Sequence, residues 1–338
     1  MPVPAPLLAL LLTVSPLAAA ASLPPSRPLW TVPRVYLSGL SSEGFPVTCT
    51  QDKETSRLGP ELDVRDPATG RVTSSIPIPE AAASDGPLGF TPDLKTLAWV
   101  NGEVLTVRGP LKRWTASMPG LSGSRELLFS PDAATLVIPN ENGYVQFWDV
   151  RSGQRRATVL FRGRPDQVKF LPDGKRVAVN GPFSGAQGTS LSLWTLNGKA
   201  AGTVPGVLGG ISRGVFDFSP DGSEVLLKVP GPGYTAGWVN LNTGAVRRWS
   251  PHVEVCPPNS YTRLCAYQPM KISLDASGTR ALLTDRVGTY LYDAYSGQRL
   301  ASLNPGLSFG TLSPDGRLVF KQGDFYPYNP GLSGWKLP

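Results

Sequence analysis

Apolar runs of a few residues alternate with polar turns along most of this chain, and the turns repeat. Phe90-Thr91-Pro92-Asp93, Phe129-Ser130-Pro131-Asp132, Phe170-Leu171-Pro172-Asp173-Gly174, Phe218-Ser219-Pro220-Asp221-Gly222 and Leu312-Ser313-Pro314-Asp315-Gly316 each close one apolar run and open the next. Leu274-Asp275-Ala276-Ser277-Gly278 is a degenerate further copy. Pro fixes φ for a tight turn, Asp bonds back to nearby backbone, and Gly accepts positive φ, so each copy predicts a hairpin between two strands.

A second ladder of signals lies between these turns. Its members are Val64-Arg65-Asp66-Pro67-Ala68-Thr69-Gly70, Phe147-Trp148-Asp149-Val150-Arg151-Ser152-Gly153, Leu193-Trp194-Thr195-Leu196-Asn197-Gly198, Trp238-Val239-Asn240-Leu241-Asn242-Thr243-Gly244 and Leu291-Tyr292-Asp293-Ala294-Tyr295-Ser296-Gly297. Leu105 to Gly109 and Gly334 to Leu337 are weaker members. Each marks the third strand of a unit. Repeats of roughly 40 residues made only of short strands predict an all-β chain, a single β-propeller of seven four-stranded blades.

The order apolar-Ser-Pro-Asp-Gly, strand, Trp-Asp-x-x-Ser/Thr-Gly resembles the WD-repeat family and its bacterial relatives, the YVTN-type propellers. The likeness runs from about residue 30 to the C-terminus, and Val64 to Pro79 is closer to the YVTN type. The Gly-His dipeptide of WD repeats is missing, and only Trp148-Asp149 keeps the literal Trp-Asp, so the family's His-Ser/Thr-Asp-Trp network does not carry over. The single His, His252, falls between a fourth strand and the next first strand, where the family places its His, and a long insertion follows it.

In the register this resemblance implies, the last blade lacks a fourth strand. Pro28-Leu29-Trp30-Thr31-Val32-Pro33 resembles the fourth strand Pro110-Leu111-Lys112-Arg113-Trp114-Thr115 and is expected to complete that blade and close the ring. A Pro-rich leader outside the fold is the alternative. The propeller is expected to occupy 28–338 as one domain; 37 Gly and 35 Pro disfavour long helices and suit strands and turns.

Met1 to Ala21 carries no charged side chain, has an apolar centre from Leu7 to Val14 and ends in Ala18-Ala19-Ala20-Ala21. This predicts a secretory signal peptide, hence a secreted or periplasmic cell-envelope protein of bacterial type, with an uncleaved anchor as the alternative. The apolar centre is shorter than a bilayer span requires, which disfavours that anchor, and no membrane span is expected once the signal is removed. Cys256 and Cys265 flank a short loop and are expected to form a disulfide in that oxidising compartment; a metal site is the rival, but His252 would bring the ligands only to three. Cys49 is expected to be a buried strand residue.

The net charge of +7 raises the question of nucleic acid, but the basic residues are scattered and no run tracks phosphates, so none is expected. Catalytic motifs are sparse. Gly306-Leu307-Ser308-Phe309-Gly310 fits a nucleophile-elbow pattern but leads into a strand rather than a helix. Glu254, Asp285 and Asp324 are acids left unassigned by turns, and nothing pairs them. Asn242 to Trp249 resembles one docking motif of quinoprotein propellers without repeating it, so no cofactor and no metal is expected.

Relative to a minimal blade, extra residues fall at Pro182 to Thr189, Pro230 to Gly237, His252 to Pro269 and Gly323 to Leu332. In a propeller these connections emerge on one face, across blades four to seven. They carry Phe183, Tyr234, Tyr261, Tyr267, Phe325, Tyr326 and Tyr328, rigid rings suited to binding a protein or envelope ligand, though equally able to pack the loops on the scaffold. The expected function is an exported, monomeric, non-enzymatic interaction scaffold. The alternative is a lactonase-like or other hydrolase using the central channel.

Overall fold

The computed structural model describes residues 27–51, 58–78, 86–110, 112–118, 126–161, 163–165, 167–182, 189–204, 215–229, 235–249, 271–284, 288–305, 309–322 and 331–337. The first strand is β1 (Trp30–Pro33). Blade one holds β2 (Val35–Leu40), β3 (Pro46–Gln51), β4 (Leu58–Arg65) and β5 (Val72–Pro77). Blade two holds β6 (Leu88–Phe90), β7 (Leu97–Asn101), β8 (Val104–Arg108) and β9 (Arg113–Ser117). Blade three holds β10 (Leu128–Phe129), β11 (Thr135–Pro139), β12 (Tyr144–Asp149) and β13 (Arg155–Leu160). Blade four holds β14 (Gln167–Phe170), β15 (Arg176–Pro182), β16 (Thr189–Thr195) and β17 (Ala200–Thr203). Blade five holds β18 (Phe216–Phe218), β19 (Glu224–Val229), β20 (Thr235–Asn240) and β21 (Val246–Trp249). Blade six holds β22 (Lys271–Leu274), β23 (Arg280–Thr284), β24 (Gly288–Asp293) and β25 (Arg299–Pro305). Blade seven holds β26 (Phe309–Leu312), β27 (Leu318–Gln322) and β28 (Gly331–Lys336), with β1 hydrogen-bonded to β28.

The seven sheets are antiparallel meanders, and the repeated turns account for them residue by residue. Thr91, Ser130, Ser219 and Ser313 each donate their hydroxyl to Asp93, Asp132, Asp221 and Asp315 at 2.6 Å. Each hydroxyl in turn accepts the N–H of Thr96, Thr135, Glu224 or Leu318, where the second strand begins. The turn thus satisfies its own polar groups before any strand pairs. In blade four Leu171 cannot donate, and Asp173 instead accepts from the Lys175 and Arg176 N–H groups and from the Arg176 guanidinium.

Third strands end in the second repeated turn. The Asp149 carboxylate accepts the Ser152 N–H at 2.6 Å and is gripped by Arg156, whose other nitrogen reaches Thr135 at 3.1 Å. Asp66, Asn240 and Asp293 make the same bond to Thr69, Thr243 and Ser296. In place of the histidine network of WD repeats, an arginine ties this turn to the second strand in blade three. Arg65 does similar work in blade one, buried and bonded to Thr48, the Gly70 carbonyl and Asp63.

The core is a ring of seven clusters, each between two neighbouring sheets. Leu97, Trp99, Val47 and Leu62 fill the space between blades one and two; Phe147, Val177 and Trp194 that between three and four; Leu282, Leu291, Val319 and Trp335 that between six and seven. Strand faces that bury residues such as Leu136, Val137 and Ile138 on both sides belong to sheets stacked face to face. Trp30, Val35, Phe320 and Leu332 form the cluster between blades seven and one, the smallest of the seven among the described residues.

Pairing of β1 with β28 runs Trp30 to Gly334 through Pro33 to Gly331. The Trp30 indole N–H donates to the Pro67 carbonyl of blade one at 3.0 Å. Trp114 on β9 does the same to Val150 of blade three at 2.7 Å. Trp30 thus makes to blade one the contact that an internal fourth-strand Trp makes to its neighbouring blade. Among the described residues no helix is long and apolar enough to cross a membrane. Residues 1–26, where the signal peptide is expected, lie outside the described residues.

Candidate functional site

The first strands of successive blades are the innermost, and from blade four to blade seven their side chains bond the backbone of the next first strand. An innermost strand has one unpaired edge, which must find partners other than a fifth strand. Gln167 on β14 accepts the Phe216 N–H of β18 at 2.8 Å. Asp217 on β18 accepts the Leu274 N–H of β22 at 3.0 Å, and Ser273 on β22 accepts the Leu312 N–H of β26 at 3.4 Å. At the next joint Gln322 accepts the Leu37 N–H at 2.7 Å and donates to the Val35 carbonyl at 3.2 Å. From blade four round to blade one the inner edge is therefore lined by polar side chains that satisfy backbone groups of the next blade.

Charged groups are set into this rim. Lys169 on β14 pairs with Asp217 at 2.8 Å. Lys271, the first residue of β22, donates to the Thr311 hydroxyl on β26 at 2.6 Å. Glu126, just before β10, lies close enough to feel both lysines: burial raises its carboxyl, and the charges of Lys169 and Lys271 oppose that rise. Lys271 is lowered to about 8, chiefly by burial and next by repulsion from Lys169, with Asp217 and Glu126 opposing.

Burial here has a particular meaning. Glu126 is exposed and Lys271 half-exposed by accessible surface, yet both are enclosed by protein on most sides. The protein around them sets the direction of both shifts.

Phe183, Tyr234, Tyr261, Tyr267, Phe325, Tyr326 and Tyr328 all lie outside the described residues, as do Cys256, Cys265, His252, Glu254, Asp285 and Asp324. Cys49 is a free, buried thiol, which its burial pushes up. Among the described residues no three His, Cys, Asp or Glu side chains gather as a metal site would require.

Sequence reasoning missed Glu126, Lys169, Asp217 and Lys271, because each is a single residue in its own repeat. A signal did exist for two of them. The residue just before the apolar position that opens each turn is Gly89, Leu128, Lys169, Asp217, Ser273 and Thr311 in blades two to seven. It turns from apolar to polar at blade four, and from there on it lines the charged part of the channel.

The architecture is thus a seven-bladed β-propeller with a charged central channel. Over 112 residues the chain is 35% identical to an uncharacterized WD repeat-containing protein of Deinococcus radiodurans, a stretch that is 31% of this chain and 43% of that protein. The chain therefore spans less than half the length of this relative. No family model matches. The fold and this similarity are consistent with a WD-repeat or YVTN-type propeller.

Proposed function

We propose that the protein is an exported interaction propeller, which after loss of residues 1–21 works in the cell envelope by binding a protein or envelope ligand on one face of the ring. What supports this reading is which described strand ends the long connections join. Residues 183–188 join β15 to β16, 230–234 join β19 to β20, 323–330 join β27 to β28, and 250–270 join β21 to β22. In an antiparallel blade the second-to-third connection and the fourth-to-next-first connection leave from the same end. The strand ends that these four segments join therefore lie on one side of blades four to seven, and the seven aromatic candidates fall within the joining segments in the sequence. A rigid ring presenting long aromatic loops suits recognition of a surface rather than turnover.

The test is affinity capture from envelope extracts with the mature chain. Tyr261→Ala combined with Tyr326→Ala should weaken capture of the main partner by more than about tenfold, the scale of interface anchors. Arg151→Glu, in a turn at the opposite end of blade three, should leave it unchanged. The reverse pattern would place the binding face on the wrong side.

A catalytic use of the channel is the rival reading, and the Lys169, Asp217, Lys271 and Glu126 constellation is what favours it. Turnover of a small substrate that is lost on neutralising Glu126 or Lys271, with partner capture intact, would replace the scaffold reading.

A further inference from the structure

The face of the ring opposite the long connections is built from the first-to-second and third-to-fourth turns. At the ends of third strands the N–H groups of Val150, Leu241, Ala294 and Leu337 donate to the Ala134, Ser223, Thr279 and Arg317 carbonyls of first-to-second turns, at 2.8–3.0 Å. Neighbouring blades are tied in the same way, Ser42 to Pro92 at 2.7 Å and Ala276 to Pro314 at 2.8 Å. Much of the backbone of this face is thus engaged within the protein, and what the face offers outward is side chains.

Those side chains are sorted by charge. The turn carboxylates bond inward: Asp66, Asp221 and Asp293 accept from hydroxyl and N–H groups of their own turns, and Asp149 and Asp173 hold Arg156 and Arg176 as well. Glu43 is the exposed carboxylate here without such a partner among the described residues. Cations are left over. Arg71, Arg151, Arg155, Lys175, Lys199 and Lys336 are all exposed, and none has a side-chain hydrogen bond or ion pair to a described residue. They come from blades one, three, four and seven, so the charge is spread round the ring and not gathered in one cleft.

Four exposed large apolar side chains stand on the same face. Leu29 precedes β1, Val72 opens β5, Val246 opens β21, and Tyr295 lies in the third-to-fourth turn of blade six, so they occupy the consecutive blades five, six, seven and one. Tyr295 is 77% exposed yet is held in place, because the Arg247 guanidinium of blade five stacks on its ring at 4.6 Å and bonds its carbonyl at 2.8 Å. The ring is presented outward instead of folding onto its own turn.

We propose that this turn face docks on an anionic lipid bilayer, its cations meeting the headgroups and Leu29, Val72, Val246 and Tyr295 entering the interface between them. The combination selects a bilayer. Cations spread round a ring match a planar anionic surface, and apolar tips on the same face gain only where hydrocarbon lies behind the charge. A soluble acidic polymer would use the cations alone. In this orientation the strand ends joined by the long connections point away from the bilayer, and the docking does not rest on there being a partner on that side.

The experiment is flotation of the mature chain with vesicles of phosphatidylcholine containing from zero to about 40 mol% phosphatidylglycerol, and residues 1–21 are left out because their apolar run would itself enter a bilayer. Binding should rise with the phosphatidylglycerol fraction and fall steeply between about 0.05 and 0.5 M salt. Arg71→Gln, Arg155→Gln, Lys175→Gln and Lys199→Gln combined should weaken it by more than about fiftyfold. Val72→Ser with Tyr295→Ser should weaken it by about tenfold and leave the salt dependence unchanged. Arg34→Gln with Arg164→Gln, on the face of the long connections, should bind as the parent does. All these positions but Arg34 and Arg164 lie on the turn face, and all are exposed, so each variant should melt as the parent does. No binding at about 40 mol% phosphatidylglycerol in low salt would overturn the proposal. Equal losses from the Arg34 and Arg164 changes would overturn the choice of face. Undiminished vesicle binding by the Val72 and Tyr295 variant, with soluble polyphosphate bound as tightly as vesicles, would assign the cations to an acidic polymer and overturn the bilayer.

Discussion

The six-membered ring of Trp30 lies directly over Gly70, so near that a Cβ on Gly70 would come within 2.5 Å of the indole. Gly70 also has φ of 71°, a left-handed conformation that L side chains resist. Gly153 stands in the same relation to Trp114. The joint between blades seven and one is therefore built like the joint between blades two and three, with a fourth-strand Trp seated on the Gly that ends the neighbouring turn.

This joint is expected to carry much of the ring's stability. Trp30→Ala should cost about 3–5 kcal/mol and Gly70→Ala about 1–3 kcal/mol, read by urea denaturation at neutral pH. Deleting residues 28–33 should lower the melting temperature at least as far. Unchanged melting on deletion would show that β1 is dispensable to the ring.

Leu94 and Ala133 have φ of 60° and 57°, at the turn position that Gly174, Gly222 and Gly316 fill in other blades. Ala133 gains little packing in return. Ala133→Gly is expected to stabilise the protein by about 0.5–1 kcal/mol, and Gly222→Ala to destabilise it by a similar amount or more. Destabilisation by Ala133→Gly, or no loss from Gly222→Ala, on chemical denaturation would refute the strain argument.

Most turn carboxylates are held below their ordinary value. The Ser152 N–H and then Arg156 keep Asp149 at about 2, and the Ser219 hydroxyl and the Ser223 N–H keep Asp221 at about 2. In the unfolded chain both protonate near 4. Their contribution is thus complete above about pH 4 and is lost as pH falls from there to about 2. Acid unfolding should fall in that window, and Asp149→Asn with Asp221→Asn should make stability less steep in pH there. An unchanged slope would mean that other groups set acid sensitivity.

Lys271 works in the opposite sense. Folding holds it at about 8 against an ordinary 10.5, so the unfolded chain binds more protons between those values and stability should rise with pH across them. Lys271→Met should accordingly raise stability at pH 7 by about 1–2 kcal/mol, the size being limited because Lys271 is partly exposed to solvent. The gain should vanish near pH 10. A loss of stability at pH 7 would show that the ammonium is better solvated than its surroundings suggest.

Cys49 is expected to resist iodoacetamide in the native protein and react once it unfolds, since its thiol is buried and raised. Non-reducing peptide mapping is expected to find Cys256 linked to Cys265. Ready alkylation of all three thiols in the native state would contradict both statements.

The fold was legible because most blades carry one or both of two repeated turns whose residues act locally. Ser219, Asp221 and Gly222 meet one another within four positions, so their chemistry can be read from adjacency alone. The channel was not legible in this way. Lys169, Asp217 and Lys271 meet only when blades four, five and six stand side by side, and one polar residue in a strand of three or four carries little weight. The arginine that ties Asp149 to Thr135 escaped for the same reason: its partners are reached across a sheet, and neither lies in its own turn.

The pairing of β1 with β28 also sets an order of events. Residues 30–33 are made well before their partners at 331–334, with blades one to six made in between. Contacts between such distant residues form late and slowly. Until then Trp30 and the inner edge of blade one have no neighbour, and an incomplete chain is an open arc with two uncovered sheet faces. Such arcs can join end to end with other copies. A nascent or clipped chain lacking β28 is therefore an assembly hazard even though six of its blades are whole.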